Sequence, residues 1–302
     1  MNNLVSCIIT TYNRADLLPR AIKSVLNQTH SSLECIIVDD ASTDSTPEVI
    51  QRFSDPRLIY IRHKTNKHLS AARNTGIKNS KGNLIAFLDD DDEWLSSKLE
   101  KQVALLQSLP QSYGMVYCWM NYYEENQLID ERHPTLRGYI FDKVIDTQPL
   151  GNGSTWLVRK TVFEKIGDFD KTLLRGIDGD YLRRLCFKYQ ADLIPEILVY
   201  YHVGRSDRIT SNSIRSLHFH IESLKVRLEK FEKELINYPE IHTNILSQLA
   251  GSYTLISDYD LARFYIQKAI LVSPKRYSLY KTWLKLSLKV IYQKVQSVIN
   301  QR

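Results

Sequence analysis

Leu84-Ile85-Ala86-Phe87-Leu88, followed at once by Asp89-Asp90-Asp91-Asp92-Glu93-Trp94, is the stretch that decides the fold. Five apolar residues without a polar break read as a strand covered on both faces. The four adjacent carboxylates after it repel one another. Such a run at a strand end points to a cation among them, and oxygen-only ligands suit Mg2+ or Mn2+. Helix capping is the plainer explanation and accounts for Asp92, which stands just ahead of a helical pattern over Leu95 to Leu109.

Toward the N-terminus the chain alternates. Residues 4–10 (L-V-S-C-I-I-T), Leu33 to Val38 and Leu58 to Ile61 read as buried strands. Between them Leu18, Ala21, Ile22, Val25 and Leu26 form one helical stripe. Thr46 to Phe53 reads as a helix with Ser45 as its N-cap, and Leu69 to Lys78 as a short one. This alternation predicts an α/β fold with a mostly parallel sheet and helices on both faces. Such sheets bind ligands outside the carboxyl ends of their strands. The polar clusters Thr10 to Asn13, Asp39-Asp40 and Asp89 to Asp92 all fall there.

Toward the C-terminus, residues 113–123, Thr155 to Val158 and Leu193 to Tyr201 read as further strands, and Glu124 to Asn126 as a turn. Lys160 to Ile166 reads as a helix closed by Gly167, and Asp180 to Lys188 as another. Residues 130–150 are irregular. From Ser213 the pattern is helix only, which puts a domain boundary in the polar stretch Gly204 to Asn212.

The 302 residues are 43% hydrophobic and 25% charged, a globular balance that argues against disorder. No run approaches the ~18 apolar residues of a spanning helix. Met1-Asn2-Asn3-Leu4 lacks a basic leader, and Cys7, Cys35, Cys118 and Cys186 form no CxxC. Buried free thiols in a reducing, cytoplasmic setting are the expectation. The net charge of +6 comes from residues 213–302, with 14 Lys+Arg against 7 Asp+Glu. A basic tail without a nucleic-acid-reading motif points to an acidic partner or a membrane surface, not to nucleic acid.

Asp39, at a strand end, is placed to accept hydrogen bonds from a base imide or a ribose; an Asx-turn is the alternative. Arg73 can clamp diphosphate oxygens, or be a surface residue. Gly176 and Gly179 mark a loop entering a helix, where Asp178 is either a partly desolvated general base or an N-terminal cap. His202 follows a strand and can reach a metal or phosphate from the far side; a lone histidine is more often structural.

Together these segments resemble the family 2 glycosyltransferases, which have the GT-A fold. The motifs are V-S-C-I-I-T-T-Y-N, I-V-D-D-A-S-T-D, N-K-H-L-S-A-A-R-N-T-G, F-L-D-D-D-D-E-W, and E-K-I-G-D-F-D ahead of I-D-G-D-Y-L-R-R. The likeness covers roughly residues 3–205. It implies a nucleotide-diphospho-sugar donor, a UDP-sugar by preference, and Mn2+ or Mg2+. It gives Thr10, Tyr12 and Asp39 to the nucleoside and Arg73 to the diphosphate. It makes Asp89 and Asp91 the metal residues, with Asp91 the direct ligand and Asp89 and Asp90 nearer the ribose and the metal's waters. It makes Asp178 the base of an inverting single displacement. The family usually has Glu-Asp where this chain has Ile177-Asp178, and a glycine where it has His68.

On this likeness, residues 1–212 are a catalytic domain. Its nucleotide part is about 1–110, its acceptor part about 111–212, and 213–302 is a helical appendage. A glycan or lipid-linked glycan acceptor and a role in cell-surface polysaccharide synthesis follow. Two other classes compete. A nucleotidyltransferase shares the sheet and carboxylates, but Thr10 to Arg14 lacks its glycine-rich loop. A non-catalytic scaffold would work through the tail. In the tail, Tyr259 to Pro274 looks like one helix of a tetratricopeptide-like hairpin. Beyond Pro274 there are seven Lys+Arg and no acid, interleaved with apolar residues. That segment reads either as a basic amphipathic helix at the inner face of the membrane or as a domain-packing helix.

Overall fold

The computed structural model describes residues 3–125, 127–203 and 214–299. The chain divides into two compact units, residues 1–206 and 207–302. The boundary expected at Gly204 to Asn212 lies outside the described residues.

The first unit is built on a nine-stranded sheet. Its strands are β1 (Val5–Thr11), β2 (Leu33–Asp39), β3 (Leu58–Arg62), β4 (Leu84–Asp89), β5 (Glu93–Trp94), β6 (Tyr113–Glu124), β7 (Gln127–Arg132), β8 (Leu157–Arg159) and β9 (Gln190–His202). The helices are α1 (Leu18–Leu26), α2 (Thr46–Gln51), α3 (His68–Asn79), α4 (Lys98–Ser108), α5 (Phe141–Val144), α6 (Lys160–Ile166) and α7 (Ile177–Lys188). The strand order is β3-β2-β1-β4-β8-β6-β9-β5, with β7 paired to β6.

β1 and β2 are buried along their whole length, as strands covered by helices on both faces must be. α1 turns Leu18, Ala21, Ile22 and Val25 inward. α3 approaches closely at Gly76, where a Cβ would stand 2.5 Å from Ile8 Cγ2. The four cysteines are buried and free.

The sheet has the expected parallel half and a mixed half beside it. β1, β2, β3 and β4 are mutually parallel. β8 then runs antiparallel to both β4 and β6. Two reversals restore the direction, so β6 and the parallel β9 point the same way as β4. The carboxyl ends of β1, β2, β4, β6 and β9 therefore share one edge. The chain builds outward from β1 to β3 and then crosses to β4, and that reversal opens a ligand crevice at this edge.

Several local expectations shift. The helix after the acidic run begins at Lys98, not Leu95. Glu93 and Trp94 are spent on pairing β5 with β9, and the Leu95 N–H bonds to the Leu198 carbonyl at 3.0 Å. Ser45 makes no side-chain cap; Asp44 Oδ1 instead accepts from the Thr46 N–H at 3.0 Å. α7 starts at Ile177, so Asp178 and Gly179 lie in its first turn. Its N-cap Gly176 has φ 72°, a left-handed conformation that glycine adopts without strain. Residues 127–132 form an exposed strand in the region expected to be irregular.

The second unit contains α8 (Ile214–Lys230), α9 (Glu232–Leu235), α10 (Pro239–Leu255), α11 (Tyr259–Val272) and α12 (Tyr277–Ile299). α10 packs on α11, and α11 on α12. Its core includes Ile245, Leu246, Leu249, Ala262, Ile266 and Ala269, and Tyr253 stacks on Tyr265 at 5.5 Å. Asp258 caps α11 by accepting from the Leu261 N–H at 3.0 Å.

Candidate active site

Strand register sets the first contacts. Thr11 lies beside Asp39 and Thr10 beside Asp89, so three strands deliver their polar ends to one place. The loop after β1 is clasped to the loop after β2. The Asn13 N–H donates to Ser42 Oγ at 2.9 Å, and Asn13 Oδ1 accepts from the Thr43 N–H at 2.7 Å. Tyr12, 44% exposed, stands at the mouth.

Asp39 is wholly buried. Its carboxylate accepts from the Ser42 N–H at 2.7 Å and from the Tyr60 hydroxyl at 2.8 Å. Asp40 pairs with His63 at 2.6 Å and accepts from the Lys67 N–H at 2.8 Å.

Arg73, on α3, is buried between two carboxylates. One nitrogen pairs with Asp89 at 2.9 Å and the other with Asp178. Burial works against its charge, but Asp178 and Asp89 prevail and raise its pKa above the ordinary value. This is the guanidinium that the resemblance gives to the diphosphate, and it pairs here with Asp89 and Asp178.

Two groups that sequence reasoning missed complete the site. Arg14, just past the end of β1, pairs with Asp91 at 2.8 Å and with Asp90 at 3.2 Å. The second is the 3-10 turn Gly153–Thr155 with Asn152 before it. The Gly153 N–H donates to Asp178 Oδ2 at 3.0 Å. Ser154 Oγ donates to Asp92 at 2.6 Å and accepts from the Asp89 N–H at 3.1 Å. Asn152 Nδ2 donates to Asp89 at 3.1 Å and to Asp92 at 3.2 Å. The only signal in the sequence was a short polar run, Asn152-Gly153-Ser154-Thr155, after Pro149. Asp92, expected as a helix cap, is instead held by this turn.

Crowding sets the electrostatics. Burial pushes the Asp90 carboxyl up to about 7, with Arg14 opposing and Asp91 adding to the rise. Burial and then repulsion from Asp91 and Asp89 push Asp92 well above the usual carboxylate range. Asp89 is raised by burial against the pull of Arg73.

Among the described residues no three His, Cys, Asp or Glu side chains converge as a preformed metal cage. The acceptors present nevertheless suit a hard cation. Asp92 Oδ1 and Asn152 Oδ1 are buried without hydrogen-bond partners beside three further carboxylates. Mg2+ and its like take only one or two protein carboxylates and fill the rest with water and phosphate oxygens. His202 lies at the end of β9, its Nε2 4.0 Å from Glu93, the residue after the acidic run.

A family model described as glycosyl transferase family 2 matches residues 6–167. The chain is 37% identical over 126 residues to the UDP-Glc:alpha-D-GlcNAc-diphosphoundecaprenol beta-1,3-glucosyltransferase WfaP of Escherichia coli, covering 42% of this chain and 49% of that protein. It is 36% identical over 197 residues to an uncharacterized glycosyltransferase of Rickettsia prowazekii, covering 62% and 58%. The chain thus spans about half the length of these curated relatives. Among solved structures, Staphylococcus aureus TarS in complex with UDP-GlcNAc superposes with a TM-score of 0.69 at 16% identity, over 90% of this chain and 82% of that one. The mannosyltransferase PcManGT of Pyrobaculum calidifontis, in complex with GDP-Man and Mn2+, gives 0.60 at 18%, over 99% and 88%. These likenesses establish the GT-A fold.

Proposed function

The chain belongs to glycosyl transferase family 2, and we propose that it moves a sugar from a nucleotide-diphospho-sugar to a hydroxyl of a glycan or lipid-linked glycan. A UDP-sugar is the favoured donor, as for WfaP and TarS. Synthesis of a cell-surface polysaccharide at the inner face of the membrane is the setting. The observation that carries the reading is the meeting of Asp39, Asp89 to Asp92 and Asp178 at one strand edge, with Arg73 joining two of them.

Thr10, Tyr12 and Asp39 form the nucleoside end, and Asp90 lies toward the ribose. Asp89 and Asp91 would hold a Mn2+ or Mg2+ ion, with His202 approaching from β9. When bound, that ion supplies positive charge that stabilises the leaving diphosphate. Arg73 fixes the orientation of Asp89 and Asp178 together. The Gly153 N–H holds the second oxygen of Asp178. Asp178 takes the proton of the acceptor hydroxyl, which it must approach within about 2.6–3.2 Å. One carboxylate as base, with no second nucleophile evident in the motifs, implies a single displacement with inversion.

Donor turnover with Mn2+, measured on the wild type and on Asp91→Ala, tests the reading. The wild type should turn over a UDP-sugar and the variant should not. Equal turnover by both would contradict it.

A further inference from the structure

The helix α12 presents two apolar faces, and among the described residues only one is buried. Leu279, Leu286 and Val290 are buried where α12 packs on α11. On the opposite side, Tyr280, Leu284, Leu288, Ile291 and Val295 step along the helix by three or four residues, with Tyr292 at their edge. All six are exposed, Leu288 by 59% and Tyr292 by 65%. At 100° per residue they form one stripe, whereas a soluble helix carries a polar face there. A contiguous exposed apolar patch of this kind marks an interaction surface.

Charge selects the partner. Lys281 and Lys285 run along one border of the stripe, and Lys289 follows them, its ammonium 4.8 Å from the ring of Tyr259. From residue 275 to 302 there is no acidic residue. A second copy of the helix would add further lysines and no carboxylate to pair with them, which does not favour self-association. An anionic bilayer satisfies both halves of the pattern. Apolar side chains and tyrosine rings enter the headgroup boundary while the lysines meet lipid phosphates. Among the described residues no helix is long and apolar enough to cross a membrane, so α12 would lie along the surface.

We propose that the outward face of α12 docks the protein on an anionic membrane surface, with Leu284, Leu288 and Ile291 inserted and Lys281 and Lys285 on the headgroups. This docking rests on the lipid-linked-acceptor reading above, because it brings the enzyme to an acceptor held in the same surface.

The test is sedimentation of the full chain with phosphatidylcholine vesicles, with and without phosphatidylglycerol. It compares the wild type, the triple variant Leu284→Ser/Leu288→Ser/Ile291→Ser and the double variant Lys281→Glu/Lys285→Glu. The wild type should bind the anionic vesicles, less so as salt rises. The lysine variant should lose about tenfold or more of that binding through lost charge, and the serine variant about tenfold or more through lost apolar insertion. The lysine variant alters only surface charge and keeps the test decisive if the serine variant folds poorly. A wild type that stays in the supernatant would overturn the proposal. So would binding that neither variant weakens, or a dimer seen by ultracentrifugation that the serine variant abolishes. Donor turnover in vesicle-free buffer is read in parallel. Its absence in a wild type that still binds vesicles would count against the catalytic reading and leave the docking supported.

Discussion

Arg73 on α3 forms an ion pair with Asp178 at the start of α7, across 105 residues of sequence. The same guanidinium pairs with Asp89 at the end of β4. One buried cation therefore joins the acidic run to the proposed base, and it ties β4 to α7.

Replacing Arg73 by methionine leaves those carboxylates close together without their cation. Breaking a buried pair in this way costs about 3–5 kcal/mol. Urea unfolding of Arg73→Met should show a loss on that scale, and donor turnover should vanish. Arg73→Lys keeps the charge but lacks the fork, so it should recover part of the stability.

Asp178→Asn keeps the shape of the side chain and removes its basicity. Sugar transfer should fall about 10²–10⁴-fold, the usual contribution of a general base. Donor affinity, read by calorimetry, should stay within about twofold, because the proposed role of Asp178 is toward the acceptor hydroxyl and not toward the donor. Undiminished transfer would remove Asp178 from the mechanism.

The parts of this arrangement that could be read from sequence were those made by neighbours along the chain. β1, β2 and β4 announced themselves as apolar runs, and their polar ends followed from the strand rule. The mixed half of the sheet did not, because β8 is three residues long and its pairing with β4 and β6 is decided by contacts far away in sequence. Asn152 to Ser154 were invisible for the same reason. Their value lies in reaching Asp89, Asp92 and Asp178, and nothing local in a short polar turn reveals that. Arg14 sits one residue past a motif that was recognised, but an arginine at a loop start carries no signal until its partners are placed. The exposed face of α12 also needed the structure, since periodicity does not say which of two apolar stripes finds a partner.

Ser154→Ala removes the hydroxyl that serves both Asp92 and the Asp89 amide. An unsatisfied buried polar group costs about 1–3 kcal/mol. The urea midpoint of the variant should fall accordingly, while its far-ultraviolet circular dichroism stays unchanged.

Lys98 is buried at the start of α4, where its ammonium donates to Gln102 at 2.8 Å and lies 4.0 Å from the ring of Trp94. Burial lowers its pKa to about 8 from 10.5. The unfolded chain therefore holds this proton between those values and the folded chain does not, so this group's contribution to stability rises with pH across that window. Below about pH 8 the penalty is fully present and is on the order of 3 kcal/mol. Lys98→Met lacks the titration. The stability of the wild type relative to Lys98→Met should increase between pH 8 and pH 10.5, measured by urea unfolding at each pH. A constant difference would mean that the ammonium is better solvated than its surroundings indicate.

On the proposed function, the acidic run after β4 holds a divalent ion against the donor diphosphate. Anomalous diffraction from a crystal soaked with Mn2+ and UDP tests it most directly. A single manganese peak within coordination distance of Asp91 and in contact with the diphosphate oxygens is the predicted result. UDP bound in the crevice with no manganese beside Asp89 or Asp91 would contradict it.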